Sequence, residues 1–195
     1  ILIMGLCYSQ WTQLDGPWTG RIDDIVSRSF EQGESEVYVA DINRGVYKST
    51  NGVNWVNISW EGDDCHPKVM EVSSNNKIWA GFPDFYQSAT YGLYLYDIID
   101  QAWVHKNGIY SNVINNKEIT AIAISPTNPD FIMVGCSLNS DYDEMVYKTI
   151  DSGNNWEVIT IPDNQGSFHE ISSIAFHPSN ENFIIVGIGI NLIKS

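Results

Sequence analysis

Aromatic rings and carboxylates, the side chains of this sequence best suited to binding sugars, are concentrated in a few irregular segments. Aromatic faces stack on the C–H groups of a carbohydrate ring, and carboxylates accept hydrogen bonds from its hydroxyls. Exposed loops that bind nothing can have the same composition, so a ligand site and an ordinary polar surface are both consistent with it. The candidate ligand-binding residues are Trp18, Arg21, Trp60, Asp84, Tyr86, Tyr91, Asp141 and Tyr142.

Metal, cofactor and nucleic-acid chemistry find little support in the sequence. The acidic stretch 141–144 is not followed by the Gly and the terminal Glu of a calcium loop, and adjacent residues such as 63–66 (DDCH) rarely converge on one ion. The formal net charge of −14 repels phosphate backbones and anionic membranes. We therefore expect no metal, no cofactor, no nucleic-acid partner and no membrane insertion.

A repeated order of short segments must position these residues. Tryptophan opens a similar phrase at Trp11, Trp55, Trp103 and Trp156, roughly 44–53 residues apart. Between them come an apolar-polar alternation, a short apolar run and a Tyr/Lys phrase, all too short for helices. This period predicts an all-β fold, a β-propeller of four-stranded antiparallel blades.

Alternating strand directions divide the connections of such blades between two faces. One, the turn face, carries the short turns, at 29–36, 125–130 and 177–182 and before each repeated tryptophan. The other carries the long segments and therefore the candidate ligand-binding residues. We call it the long-loop face, and it comprises residues 15–21, 41–44, 60–66, 82–91, 137–144 and 162–169.

The repeats are expected to form only a partial ring of about four blades. The last repeat stops within its third segment, and the phrase at Trp11 has no preceding strands of its own. Residues 11–195 are therefore predicted to be the N-terminal part of a propeller, with the remaining blades elsewhere in a longer chain. The apolar run 1–10 is interpreted as the remnant of a signal peptide, which predicts an extracellular, secreted protein.

The turns before the tryptophans resemble the Asp-box, or BNR, repeat. Residues 149–156 (TIDSGNNW) match Ser/Thr-x-Asp-x-Gly-x-x-Trp at every fixed position, 49–55 (STNGVNW) form a shorter version, and 97–103 keep only an Asp and the Trp. In such a hairpin the Asp caps the turn amides, the Gly takes a positive φ and the Trp packs beneath. The predicted structural residues are Ser49, Asn51, Gly52, Trp55, Trp103, Thr149, Asp151, Gly153 and Trp156.

A second resemblance concerns residues 40–48 (ADINRGVYK). They are similar to the Thr-Asp-(Ile/Val)-Gly-Gly-Ala-Tyr-Arg phrase of xyloglucan-active endoglucanases, with Asp41 at the place of a catalytic aspartate, one extra residue and no Gly-Gly pair. The resemblance implies inverting hydrolysis with Asp41 as one of two carboxylates roughly 6.5–9.5 Å apart, the second coming from another propeller. The alternative is that Asp41 only caps a turn between two strands.

Asp-box propellers also occur in sialidases and in sortilin-type receptors. A sialidase holds its substrate carboxylate with three arginines, whereas this chain has only Arg21, Arg28 and Arg44, with Arg28 toward the turn face. We therefore expect a secreted scaffold that binds extracellular glycan, such as a polysaccharide, or protein through its long-loop face. The alternatives are a xyloglucanase-like glycoside hydrolase and a sortilin-like peptide receptor or assembly factor.

Overall fold

The computed structural model describes residues 16, 21–30, 33–41, 44–59, 67–82, 92–108, 114, 117–137, 146–161, 170–189 and 191–194. Within these residues the regular structure consists of fifteen β-strands and no helix. The strands are β1 Ile22–Ser29, β2 Ser35–Asp41, β3 Gly45–Ser49, β4 Val56–Asn57, β5 Val69–Val72, β6 Ile78–Phe82, β7 Gly92–Asp97, β8 Ala102–His105, β9 Ile119–Ile124, β10 Ile132–Cys136, β11 Val146–Thr149, β12 Glu157–Ile159, β13 Ile171–His177, β14 Asn180–Ile188 and β15 Asn191–Lys194.

The strands form four antiparallel sheets in the order of the chain. β1–β4, β5–β8 and β9–β12 each make a four-stranded sheet, and β13–β15 make a three-stranded one. Within each sheet every strand pairs with the next strand in sequence, and contacts between sheets join the innermost strands β1, β5, β9 and β13 in turn. This arrangement confirms the predicted all-β propeller of successive antiparallel blades.

The second and third sheets are buried between their neighbours because apolar residues project from both of their sides. Side chains such as Trp79 and Ile119 are fully buried, and burying a side chain of this kind contributes about 1.5–3 kcal/mol. One apolar cluster lies between each pair of successive sheets. Their members include Tyr38, Met70 and Phe82 in the first, Trp79, Ile119 and Val134 in the second, and Met133, Ile184 and Val186 in the third.

The first and fourth sheets each have one side that no described residue covers. Ile25 on β1 is 61% exposed, whereas Met70, at the corresponding register position on β5, is 2% exposed. Ile185 on β14 is 37% exposed, whereas Trp79, at the corresponding position on β6, is fully buried. The described sheets therefore form an arc with two open sides, in agreement with a partial ring.

Small residues on the second strand let the following sheet approach closely. A Cβ atom added to Gly81 would lie 2.5 Å from Cγ2 of Ile119, and one added to Gly135 would lie 2.2 Å from Cγ2 of Ile171. Both isoleucines are fully buried on the innermost strand of the next sheet. The second and third apolar runs thus end in glycine because the innermost strand of the next sheet occupies the space of a side chain.

Side-chain hydrogen bonds hold the turn between β11 and β12. Oδ1 of Asp151 accepts hydrogen bonds from the backbone N–H of Asn155 at 2.9 Å and from Thr149 Oγ1 at 2.7 Å. Burial raises the pKa of Asp151, but these donors and the Asn155 side chain outweigh it and hold the pKa below its usual range. Gly153 has a φ of +76°. In the turn after β3, Oδ1 of Asn51 accepts comparable backbone bonds, without a charge.

Candidate functional site

Asp41 is the last residue of β2 and lies at the long-loop face. Its neighbours in register are Ile22 on β1 and Gly45 on β3, and the Asp41 side chain is fully buried. The backbone N–H of Arg44 donates a hydrogen bond to the Asp41 carbonyl at 3.3 Å, which closes the turn into β3. The carboxylate is therefore held at the end of the first sheet, on the side where the long connections begin.

The corresponding position in the other three sheets is apolar. Phe82 ends β6, Cys136 ends β10 and Ile188 ends β14, and all three are buried like Asp41. These sheets make the same strand connection without a carboxylate at this position, through loops of different length. Burying a carboxylate is costly in a place where an apolar side chain suffices. Packing therefore does not explain why the first sheet has Asp41 here.

Four charged residues lie directly before the innermost strands, at the same face. Arg21, Lys68, Glu118 and Glu170 precede β1, β5, β9 and β13. Lys68 Nζ donates to Oε1 of Glu118 at 3.0 Å and to Oε1 of Glu170 at 2.6 Å. One ammonium thus joins the second, third and fourth sheets. We call Lys68, Glu118 and Glu170 the axial ion cluster.

Lys68, the cation of the axial ion cluster, keeps its proton at neutral pH. Partial burial lowers the pKa of Lys68, but the hydrogen bonds to Glu170 and Glu118 outweigh it and raise the pKa above its ordinary value. The stabilisation is present below that ordinary value and is lost as the pH rises through the raised pKa. Glu118 also accepts a hydrogen bond from Ser137 Oγ at 2.7 Å. Both carboxylates therefore stay in place as hydrogen-bond acceptors.

Arg21 is a predicted ligand-binding residue that the structure describes. Its side chain is 65% exposed, and Nε donates to Oδ1 of Asp23 at 2.6 Å. Arg21 and Asp41 both belong to the ends of the first sheet at the long-loop face. The other seven candidates lie outside the described residues, so their assignment stays a prediction: Trp18, Trp60, Asp84, Tyr86, Tyr91, Asp141 and Tyr142.

The connections that carry most of these seven candidates start and end at the long-loop face. The chain leaves β6 there with Phe82 and enters β7 with Gly92, and it leaves β10 with Cys136 and enters β11 with Val146. Asp84, Tyr86 and Tyr91 belong to the first of these connections, and Asp141 and Tyr142 belong to the second. Both connections thus begin and end at the face that holds Asp41.

Arg28 takes part in an ion network on the opposite, turn face. Its buried guanidinium contacts the Glu36 carboxylate, and Nη1 donates to the Asn76 carbonyl at 2.8 Å. Lys48 and the Tyr38 hydroxyl also contact Glu36. Burial raises the pKa of Glu36, but its bonds to Lys48, Tyr38 and Arg28 outweigh it and lower the pKa. Arg28 therefore links the first two sheets and does not share a face with Arg21.

Lys68, Glu118 and Glu170 were not predicted as a group from the sequence. The available signal was their position, since each stands immediately before the first segment of its repeat. Among the described residues no cluster of three or more His, Cys, Asp or Glu is arranged to hold a metal. Nor does the described part contain a helix that is long and apolar enough to cross a membrane.

Comparison with solved structures finds proteins of the same fold. A GH74 xyloglucanase from Xanthomonas campestris has a TM-score of 0.65 at 15% identity, covering 83% of this chain and 25% of that chain. An ancestral GH74 enzyme has a TM-score of 0.69 at 23% identity, covering 91% and 23%. An auxiliary nutrient binding protein from Bacteroides ovatus has a TM-score of 0.52 at 13% identity, covering 77% and 32%.

These similarities show the fold alone. Each covers only part of the neighbouring protein's chain. The chain spans about a quarter of the length of the GH74 structures that it matches. No protein-family model matches the chain, and no curated protein matches it either. The comparisons thus agree with a β-propeller.

Proposed function

We propose that this chain is part of an extracellular β-propeller that holds a polysaccharide on its long-loop face. The observation that supports the proposal is the collection of polar groups at this end of the sheets, where the buried Asp41 lies and where Glu118 and Glu170 are held by Lys68. Carboxylates accept hydrogen bonds from sugar hydroxyls. The predicted aromatic residues of the adjoining connections supply surfaces on which sugar rings stack.

Affinity gel electrophoresis with plant and microbial polysaccharides tests this proposal. Trp60→Ala and Tyr86→Ala are expected to weaken the retardation of the protein by at least severalfold, because each removes a stacking surface. Ile99→Ala is the matched control, since Ile99 is 92% exposed in the turn between β7 and β8 on the turn face. Unchanged retardation of both loop variants would contradict the proposal. If the protein binds peptides and no polysaccharide, a peptide receptor is favoured instead.

Asp41 favours a second candidate function, hydrolysis of the bound polysaccharide. It is a buried carboxylate where the three other sheets have Phe82, Cys136 and Ile188, and its segment resembles a catalytic phrase of xyloglucan-active endoglucanases. We propose that Asp41 acts as the general base of an inverting reaction. A second carboxylate on the other side of the scissile bond, roughly 6.5–9.5 Å away, would protonate the leaving oxygen.

The hydrolytic proposal is tested by measuring new reducing ends with the full-length protein. Asp41→Asn, which keeps the shape of the side chain, is expected to lower the rate by at least about 100-fold, since it removes a general base. Asp100→Asn, an exposed residue between β7 and β8, should leave the rate unchanged. If the unaltered protein retains polysaccharide but produces no new reducing ends, the hydrolytic proposal is rejected and the binding proposal stands.

A further inference from the structure

The chain contains two Asn-Gly pairs, at 51–52 and at 107–108. In such a pair the backbone nitrogen of the glycine can attack the side-chain amide of the asparagine, because glycine has no side chain to shield that nitrogen. Ammonia leaves, and water opens the resulting ring to give aspartate or isoaspartate. The two dipeptides are identical, so a difference in their reactivity must come from the fold.

The amide of Asn51 is exposed in the turn between β3 and β4, and its oxygen is fixed. Oδ1 accepts hydrogen bonds from the backbone N–H of Val53 at 2.9 Å and from that of Asn54 at 2.8 Å. Attack on the amide carbon places negative charge on this oxygen, and donors at these distances stabilise such a charge. The Nδ2 group, which must depart, is bonded to no described residue.

Ser49 connects the attacking nitrogen to the same amide oxygen. The backbone N–H of Gly52 donates to Ser49 Oγ at 2.9 Å, and Ser49 Oγ donates to Asn51 Oδ1 at 3.3 Å. The proton of Gly52 can therefore pass to Ser49 while the serine proton passes to Oδ1. Because Ser49 is buried, this path is kept out of bulk water.

Asn107, which follows β8, is held in the opposite way. Its side chain is fully buried, and its Oδ1 accepts a hydrogen bond from the backbone N–H of Leu93 at 2.8 Å. Its Nδ2 group donates to Nε2 of His105. The group that would depart is therefore bonded, and burial keeps away the water that would open the ring. The fold protects this second Asn-Gly pair.

We propose that Asn51 is a deamidation site of the folded protein and that Asn107 is not. The Gly52 nitrogen bonds to Cγ of Asn51, the Cγ–Nδ2 bond breaks, and Nδ2 leaves as ammonia with the proton that Gly52 gave up. Water then adds to one ring carbonyl, which breaks its bond to nitrogen and leaves a carboxyl group. Opening at Cγ places an aspartate where the turn after β11 has Asp151, whose charge accepts the corresponding backbone bonds.

Peptide mapping by mass spectrometry of the full chain, kept folded at mildly alkaline pH, tests the proposal. Asn51 is expected to lose its amide at least tenfold faster than Asn107. In urea the two should react at similar rates, because both are then ordinary Asn-Gly pairs. Ser49→Ala should slow the loss at Asn51 severalfold. Ser49→Thr should not, because it keeps the hydroxyl that Thr149 provides in the third sheet.

A persistent amide at Asn51 in the folded protein, together with its loss in urea, would overturn the proposal, because the turn would then protect this residue. Equal rates at Asn51 and Asn107 in the folded protein would overturn it as well. An unchanged rate in Ser49→Ala would reject the proton path through Ser49. If Ser49→Ala fails to fold, the comparison of Asn51 with Asn107 in the unaltered protein decides.

Discussion

Glu71 has a carboxyl group in the middle of the stack of sheets, on β5. Burial raises its pKa above the ordinary value of 4.5, a backbone hydrogen bond from Val72 partly opposes this, and the nearby Asp24 carboxylate adds to the rise. Asp24 is fixed beside β5, because its Oδ2 accepts a hydrogen bond from the Met70 N–H at 2.6 Å. Folding therefore disfavours the ionised form of Glu71.

The sign of this linkage predicts a stabilising substitution. An acid whose pKa is raised on folding stabilises the protein below its unfolded pKa, and that contribution is lost as the pH rises through the folded pKa. Glu71→Gln removes the charge, so its melting temperature should exceed that of the unaltered protein at pH 7 and match it at pH 4. A lower melting temperature of Glu71→Gln at pH 7 would contradict this account.

Single residues also show what the sequence could predict of the candidate site. Asp41 was predicted because its neighbours resemble a known phrase, and that prediction stays untested; the structure adds that Phe82, Cys136 and Ile188 hold its position in the other sheets. The contacts of Lys68 were not predicted, because they join residues that are 50 and 102 positions apart and only the equivalent positions in successive repeats indicate them. Spacing along one repeat carries no information about such pairs.

At the scale of strands, Gly135 sets the distance between the third and fourth sheets. Gly135→Ala places a Cβ atom 2.2 Å from Cγ2 of Ile171, a fully buried side chain that has little room to move. We expect a loss of about 1–3 kcal/mol in the free energy of unfolding, measured by urea titration. Gly187→Ala is the control, because its Cβ would meet the Ser173 hydroxyl at 2.6 Å, which can rotate away. Equal losses would refute close approach as the cause.

The strand order was predictable because tryptophans, apolar runs and Tyr/Lys phrases repeat together. The ends of the strands were less predictable from the sequence. β1 continues to Ser29 although its last residues are polar, because the contact between Arg28 and Glu36 on β2 extends the pairing. β14 begins at Asn180, within the predicted loop 177–182, so the hairpin from β13 is tighter than expected. Tertiary contacts decide these ends.

At the scale of the whole molecule, Lys68 is a link between three sheets. Lys68→Ala removes two partly exposed ion pairs and leaves Glu118 and Glu170 facing each other's charge. We expect a loss of about 1 kcal/mol, which corresponds to roughly 2–4 °C in melting temperature for a chain of this size. The loss should shrink in high salt, because ions screen both effects.

Lys148→Ala provides the control for this substitution. The Lys148–Glu157 pair measures 3.0 Å but joins neighbouring strands of one sheet, and Glu157 is largely exposed. Lys148→Ala should therefore lower the melting temperature by less than Lys68→Ala does. If Lys148→Ala lowers the melting temperature as much as Lys68→Ala, then joining different sheets does not make an ion pair more stabilising than an ordinary surface ion pair.

The strand order has a consequence for how the protein is made. Because every strand pairs with the next one along the chain, each sheet needs only its own forty or so residues, and short loops close quickly. A nascent chain can thus complete its first sheet during translation, while later repeats are still being synthesised. The contact between Lys68 and Glu170, 102 positions apart, can form only after the fourth sheet has begun to emerge. Synthesis and assembly would then follow the same order, from the first sheet to the fourth.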